Sequence, residues 1–445
     1  MLNSNSRRKA CRPTGGGAGN RRYLILKTKA VRLYGKNDLR LEEFELPEIR
    51  EDEILARVIS DSLCLSSYKA TIQGADHKRV PKDVDKNPII IGHEFSGQIL
   101  KVGQKWADRF SAGEKFSIQP ALNYKGSMAS PGYSFPYIGG DATYIIIPNE
   151  VMECDCLLKY TGEGYFGSSL SEPLSCVAGT FKAMYHTRHG VYEHDMGIRE
   201  GGSMAMLAAV GPMGLAAIDY ILNCDRRPAR LAVTDISAER LARAERLLSP
   251  AYAKARGVEL IYMNTADDLD ATAKLRAFSA DGKGFDDVLV FAPVAPVVEM
   301  GDALLADDGC LNFFAGPSKT DFSAKFNFYN VHYLTTHIVG TSGGNTDDMR
   351  EVLAMMAKKQ INPAILVTHI GGIDSVIDAT MQLPTLPGAK KLIYTGINLP
   401  LTAIADFAEK GKTDPFFAKL AELTAKTDGL WNKEAEDFIL SHYVW

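Results

Sequence analysis

Short runs of branched and aromatic residues, separated by corners bearing Gly or Pro, fill the first third of the chain. Residues 30–34, 39–44 and 54–59 form such runs, broken by Gly35-Lys36-Asn37-Asp38 and by Pro47, and more follow at 89–91, 96–102, 115–118 and 143–147. Brief β-favouring runs bounded by turn residues predict antiparallel strands, so this third reads as a β-rich domain. Near residue 171 the period changes. Residues 171–186 carry helical spacing, 203–209 are an apolar run suited to a buried strand, and a helix to Leu222, a strand at 230–235 and a helix at 238–248 follow. Further strands are predicted at 286–291 and 310–315. Strands alternating with helices imply parallel βαβ units. Residues 339–397 are mixed. Beyond Leu399 the pattern is helical, with Asp414-Pro415 as cap and first-turn residue, Phe417, Leu420 and Leu423 at helical spacing, and Gly429 placed to end the helix. This tail reads as packing or oligomer surface.

Composition bounds what such a chain does. Its 445 residues predict two or three domains, and 50 Lys and Arg against 54 Asp and Glu lack the basic surplus that non-specific nucleic-acid binding needs. Seven scattered cysteines do not form a disulfide framework, which points to a reducing cytoplasm. The longest uncharged stretch, residues 201–218, is broken by Gly211, Pro212 and Gly214, so no membrane span is predicted. Charge is uneven. Residues 1–26 hold six basic and no acidic residues, leaving 44 basic against 54 acidic in the rest. That leader is predicted to be disordered. It mildly resembles an organelle transit peptide, but it lacks an amphipathic stripe and reads better as an extraneous start.

Two constellations carry chemistry. In the first, Gly211, Pro212, Met213 and Gly214 lie between a predicted strand and helix, the setting of a dinucleotide-binding turn, although Ala209 stands where the first glycine of the usual fingerprint would be. Asp235 ends the next strand, 24 residues after Gly211, where a carboxylate accepts hydrogen bonds from ribose hydroxyls and repels a 2′-phosphate. This favours NAD(H), with NADP(H) left open by the nearby Arg240. In the second, Cys64, His93, Glu94 and Glu172 are residues of zinc-ligand type, and a catalytic zinc takes about three protein ligands with one position open. Singly, each has a plainer reading as a buried thiol, a turn histidine or a helix-start carboxylate.

Taken together these segments resemble the zinc-dependent medium-chain dehydrogenases. The marks run in order through Cys64-Leu65-Ser66, Gly92-His93-Glu94, Gly139-Gly140-Asp141-Ala142-Thr143-Tyr144, Ser171-Glu172-Pro173 and the glycine turn, over about residues 28–397. Glu172, where many relatives have a cysteine, resembles the polyol dehydrogenase branch, and VRLYGKNDLRLEEFELPEI, SDSLCLSSYKA, QGADHKRVP and IQPALNYKGS resemble its L-sorbose-1-phosphate reductases. The resemblance implies a GroES-like β-rich catalytic domain at 27–190 and 335–398 and a Rossmann doubly wound parallel-sheet NAD(P)-binding domain at 191–334. A helical extension at 399–445 completes this expected plan.

The same resemblance implies one catalytic zinc on Cys64, His93 and Glu172, with Glu94 a ligand or a neighbour of one. Ser66 is then the hydroxyl that passes a proton between substrate and solvent. Residues 119–135, the segment that holds four structural-zinc cysteines in many relatives, contain none, so no structural zinc is expected. Cys154 and Cys156 read as ordinary thiols. The late pair Thr368-His369 also resembles the family. The implied substrate is a ketose phosphate or hexitol phosphate, with L-sorbose 1-phosphate and glucitol 6-phosphate foremost and sorbitol or galactitol 1-phosphate as alternatives. Lys69, His77, Lys78, Arg79 and Lys82 are candidate phosphate partners, though a solvated loop explains them equally well. A homodimer or homotetramer is usual for the resembled family. From another class, the fold also supports zinc-free cofactor-binding structural proteins.

Overall fold

The computed structural model describes residues 26–317 and 319–443, so residues 1–25, and with them the predicted leader up to its last residue, lie outside the described chain. From the N-terminus, β1 (Lys27–Gly35) pairs antiparallel with β2 (Asp38–Glu45) and, on its other side, with β4 (Ile89–Ile90). β3 (Ile54–Ser62) lies at the centre of the β-rich region, between β5 (Phe95–Val102) and β18 (Lys390–Tyr394). The sheet is extended by β6 (Lys115–Ile118) and β8 (Leu157–Lys159) at one end and by β17 (Val367–Gly372) and β19 (Thr402–Ala403) at the other, with β7 (Tyr144–Ile147) also on β3. Strands from both ends of the chain therefore share one sheet.

Between them sits a parallel six-stranded sheet. Its strands are β11 (Ser203–Leu207), β12 (Arg230–Asp235), β13 (Glu259–Asn264), β14 (Phe285–Val290), β15 (Leu305–Phe313) and β16 (His337–Gly340), in the order β13-β12-β11-β14-β15-β16. This is the doubly wound order, whose reversal between β11 and β14 opens a crevice at the carboxyl ends of the strands. All five residues of β11 are buried, as expected for a strand covered on both faces. Among the described residues no helix is long and apolar enough to cross a membrane.

Three elements differ from expectation. The helix expected at 171–186 ends at Lys182, and Tyr185, His186 and Thr187 enter a hairpin of β9 (Tyr185–Arg188) and β10 (Val191–Met196) that turns at Gly190, φ 77°. His186 is drawn there by partners distant in sequence, with Nε2 3.1 Å from an Asp287 carboxylate oxygen and Nδ1 3.0 Å from the Asp308 carbonyl. β15 begins at Leu305, before the expected 310, and Asp308 within it has φ 57°. The tail contains a short strand, β19, and its helix Pro415–Ala425 ends before Gly429, which lies in the following loop at φ 80°. Asp414 does cap that helix, accepting from the Phe416 N–H at 2.9 Å.

Inside the parallel-sheet domain, Asp219 is buried on the helix Pro212–Asn223. It accepts the Asn362 N–H at 2.7 Å and the Asn223 amide at 3.1 Å, and burial pushes its carboxyl from 3.8 up to about 7. The folded state thus holds a proton that the unfolded chain has released, so this group's stability contribution falls as pH rises through that window. Asp219→Asn is expected to flatten the slope. Urea denaturation at about pH 5 and about pH 7 should show wild type losing on the order of 1 kcal/mol per pH unit more than the variant.

Candidate active site

Three segments converge where the β-rich sheet meets the parallel one. β3 ends at Ser62, and Cys64 is the N-cap of the helix Leu65–Gln73, at φ −127° and ψ 141°. Gly92 has φ 91°, and a Cβ on it would fall 2.7 Å from the Asp141 nitrogen, so only glycine makes the turn that delivers His93 and Glu94 to the start of β5. Glu172 is the second residue of the helix Ser171–Lys182.

A seam of buried serines locks these segments together. Ser60 on β3 meets Ser169 at 3.0 Å, Ser96 on β5 meets Ser168 at 2.5 Å, and Ser117 on β6 meets Ser171 at 2.8 Å. Buried hydroxyls require partners, and here each finds its partner on the opposite element.

Cys64, His93 and Glu94 each offer a ligand atom within 4.8 Å of the other two. Glu172 lines the same cleft but stands outside this closest grouping. Both Glu94 oxygens are taken by the Lys390 ammonium, at 2.5 and 2.6 Å, in a pair with almost no access to water. Burial would raise the Glu94 carboxyl, but Lys390 outweighs it and holds Glu94 ionised. The His93 ring has Ser67 Oγ 3.2 Å from Nδ1 and the Tyr133 hydroxyl 3.2 Å from Nε2. Cys176 donates its thiol to Glu172 at 3.7 Å.

Burial pushes the Cys64 thiol up to about 12 and the His93 imidazole down to about 4, while burial and then the Glu94 charge raise Glu172 to about 7. The neutral imidazole is the metal-binding form. A half-buried thiol beside carboxylates releases its proton when a cation replaces it. A thiol, an imidazole and carboxylates opening onto a cleft fit zinc with a free coordination position.

The cleft measures about 440 Å³ and runs between the two sheets, with Cys64, His93 and Glu172 on one side and Met213, Phe314 and Gly316 on the other. Ser66 is exposed on it, in the first turn of its helix. Lys69, His77, Lys78 and Arg79 also line it, and among the described residues none of Lys69, Lys78 and Arg79 has a carboxylate partner. Lys82 does not join them; its ammonium goes to the Ala75 carbonyl at 2.5 Å. Thr368 and His369 lie on β17 and bond each other at 3.0 Å, and neither lines the cleft.

At the glycine turn the left-handed residue is Ala208, φ 54°, while Ala209 is not among the positive-φ residues. Gly211 caps the helix that begins with Pro212, and a Cβ added to it would meet nothing within 4 Å. A Cβ on Gly214 would come within 2.0 Å of the Ala209 carbonyl. Gly214 is therefore required by packing, whereas Gly211 leaves an open approach to the helix N-terminus, as pyrophosphate binding needs. Asp235 is buried at the end of β12, where its Oδ1 accepts the Ser237 N–H at 2.9 Å and the Arg240 guanidinium at 2.8 Å. Arg240 is thus tied to the carboxylate that orders this corner.

The sequence reading missed Ser67, Tyr133, Cys176 and Lys390. Ser67 and Cys176 adjoin predicted residues, but Lys390 follows Glu94 by 296 positions and has no local signature.

Residues 50–154 match the alcohol dehydrogenase GroES-like domain, and residues 212–358 match the zinc-binding dehydrogenase domain. The chain is 50% identical over 415 residues to L-sorbose 1-phosphate reductase of Klebsiella pneumoniae, covering 93% of this chain and 98% of that one. It is 49% identical over 419 residues to mannitol-1-phosphate 5-dehydrogenase of Aliivibrio fischeri, covering 94% and 99%. Among solved structures, 2R,3R-butanediol dehydrogenase from Bacillus subtilis has the same fold, with a TM-score of 0.67 at 20% identity over 82% of this chain and 99% of that one. The chain belongs to the zinc-dependent medium-chain dehydrogenases, with a GroES-like domain joined to a Rossmann domain. Within that family it is a zinc-type polyol or sugar-phosphate dehydrogenase that works with NAD(P).

Removing one partner of a buried ion pair leaves a charge with no solvent, which typically costs about 3–5 kcal/mol. Lys390→Met should destabilise the chain by about that much in urea denaturation. Adding Glu94→Gln should recover most of the loss, and a single-variant cost below about 1 kcal/mol would contradict the pairing described above.

Proposed function

We propose that the chain interconverts a ketose phosphate and a hexitol phosphate, with L-sorbose 1-phosphate and glucitol 6-phosphate as the foremost pair. The observation that carries this is the set of cations without carboxylate partners, Lys69, Lys78 and Arg79, sharing one cleft with Cys64, His93 and Glu172. A dianionic phosphate needs such partners, with Arg suited to a bidentate contact and Lys to a point charge. Two relatives of about half-identical sequence carry sugar-phosphate names, which supports the substrate class.

In this reading Cys64, His93 and Glu172 hold a single catalytic zinc, and Glu94, engaged by Lys390, lies beside Cys64 and His93 and tunes the site. Bound there, zinc supplies Lewis-acid polarisation of the reacting oxygen, and the nicotinamide supplies or accepts the hydride. The protein's own residues do the rest. Ser67 fixes the His93 ring through Nδ1, Ser66 passes a proton between the substrate hydroxyl and solvent, and the basic loop binds phosphate. Gly211, Pro212, Met213 and Gly214 receive the pyrophosphate. Asp235, steadied by Arg240, takes the ribose hydroxyls and favours NAD(H) over NADP(H). A mannitol phosphate is the second reading, favoured by the 49% identity to mannitol-1-phosphate 5-dehydrogenase.

Turnover of sorbose 1-phosphate, fructose 6-phosphate, sorbitol and galactitol 1-phosphate with each cofactor, before and after chelation, tests the proposal. Sorbose 1-phosphate should be reduced fastest with NADH, and chelation should abolish the activity. Preference for fructose 6-phosphate would favour the mannitol reading, and preference for sorbitol would reject a phosphate subsite. Arg79→Ala and Lys78→Ala should each raise KM for the phosphorylated ketose by about tenfold or more with little change in kcat, the loss expected for a charged hydrogen bond. Asp235→Ala should raise KM for NADH by about tenfold and narrow its advantage over NADPH.

A further inference from the structure

We propose that Glu436, in the C-terminal extension, is a positioning residue for Glu172, acting through the helix start that it anchors. The idea rests on the reading of Glu172 as a metal ligand. Glu436 lies on the helix Lys433–Leu440 and is 0% exposed. One carboxylate oxygen accepts the Tyr165 N–H at 2.7 Å; the other accepts the Phe166 N–H at 2.8 Å and the Tyr394 hydroxyl at 2.9 Å. Tyr394 is itself held by the Trp431 indole N–H at 2.8 Å. The preceding loop closes over the carboxylate: Gly164 has φ 67°, and a Cβ there would fall 2.2 Å from a Glu436 oxygen.

The N–H groups that Glu436 receives open the turn Phe166–Ser169, which passes through Leu170 into the helix Ser171–Lys182. Ser168, Ser169 and Ser171 on this path make the serine seam, and Glu172 is the next residue. The path from Glu436 to Glu172 is therefore short, buried and hydrogen-bonded at each step.

Plain packing does not require this residue. An apolar side chain would fill the space without the cost of desolvating a carboxylate, which is several kcal/mol unless its partners are fixed. A buried carboxyl group with three aligned donors selects one backbone arrangement at residues 165–166, and the seam transmits it. The extension grips the same region a second time, because the Tyr443 hydroxyl donates to the Ile59 carbonyl on β3, the strand that leads to Cys64. The tail so far read only as packing thus reaches two of the segments that carry candidate ligands.

The test is zinc affinity by competition with a chelator, together with the visible spectrum of the cobalt-loaded protein, for wild type, Glu436→Gln, Tyr394→Phe and Leu420→Ala. Leu420 is a buried core residue of the same extension with no part in the anchor. Glu436→Gln should weaken zinc binding by about tenfold or more and shift the cobalt spectrum, as loss of outer support for a ligand does. Tyr394→Phe should do the same to a smaller extent, and it decides the matter if Glu436→Gln does not fold. Leu420→Ala should lower Tm with zinc affinity and cobalt spectrum unchanged. If Glu436→Gln and Tyr394→Phe bind zinc as wild type does, or if Leu420→Ala weakens zinc equally, the positioning role is overturned. A wild-type chain that takes up no zinc would instead overturn the metal-site reading beneath it.

Discussion

Two opposite charges with almost no access to water tie the beginning of the catalytic region to its end. Glu94 precedes β5, Lys390 opens β18, and the whole parallel-sheet domain lies between them in sequence. Neither charge is tolerable alone in that environment, so the catalytic sheet is complete only when the chain has returned from its excursion and β18 has paired with β3. The cleft and its metal-type side chains lie where that return closes, with Glu94 and Lys390 both in the lining. Both members of the pair line the cleft and act on His93, so the interaction that closes the fold shapes the field at the site as well.

Electrostatics then divides the molecule by scale. The described chain is acidic overall, yet the cleft gathers Lys69, Lys78 and Arg79 with no carboxylate at ion-pair distance from any of them among the described residues. An acidic surface around a basic cleft focuses anions toward the cleft and repels them elsewhere. Beside the candidate ligands the Glu94 charge is balanced by Lys390, while the cleft wall carries Lys69, Lys78 and Arg79. An elongated anion with one neutral, oxygen-bearing end suits that gradient better than a neutral polyol does.

What was legible in the sequence follows from the range of each interaction. β12 and β6 were expected with the bounds they have, because strand runs between turn residues are local facts. Cys64, His93 and Glu172 stood out because each sits beside a turn or helix start that marks it, and the structure lines one cleft with all three. The hairpin β9–β10 was not, since His186 is drawn from the helix by Asp287 and Asp308, about a hundred residues away. Lys390 and Glu436 were invisible for the same reason. A lysine or glutamate in an amphipathic stretch looks solvent-facing until the element it packs against is known. The serine seam was hidden differently, because its members are scattered small residues whose meaning lies in their pairing.

The two glycines of the nucleotide turn separate folding from function within four residues. Gly214 is held against the Ala209 carbonyl, so any side chain there disturbs the strand-to-helix junction itself. Gly211 has φ −74° and open space where a side chain would go, so the fold makes no demand on it. A methyl group at 211 would leave the apoprotein as it is and occupy only the approach to the helix N-terminus. If the turn receives the cofactor as proposed, position 211 is one at which occupancy could be removed while the β-rich sheet and its metal-type cluster stay intact.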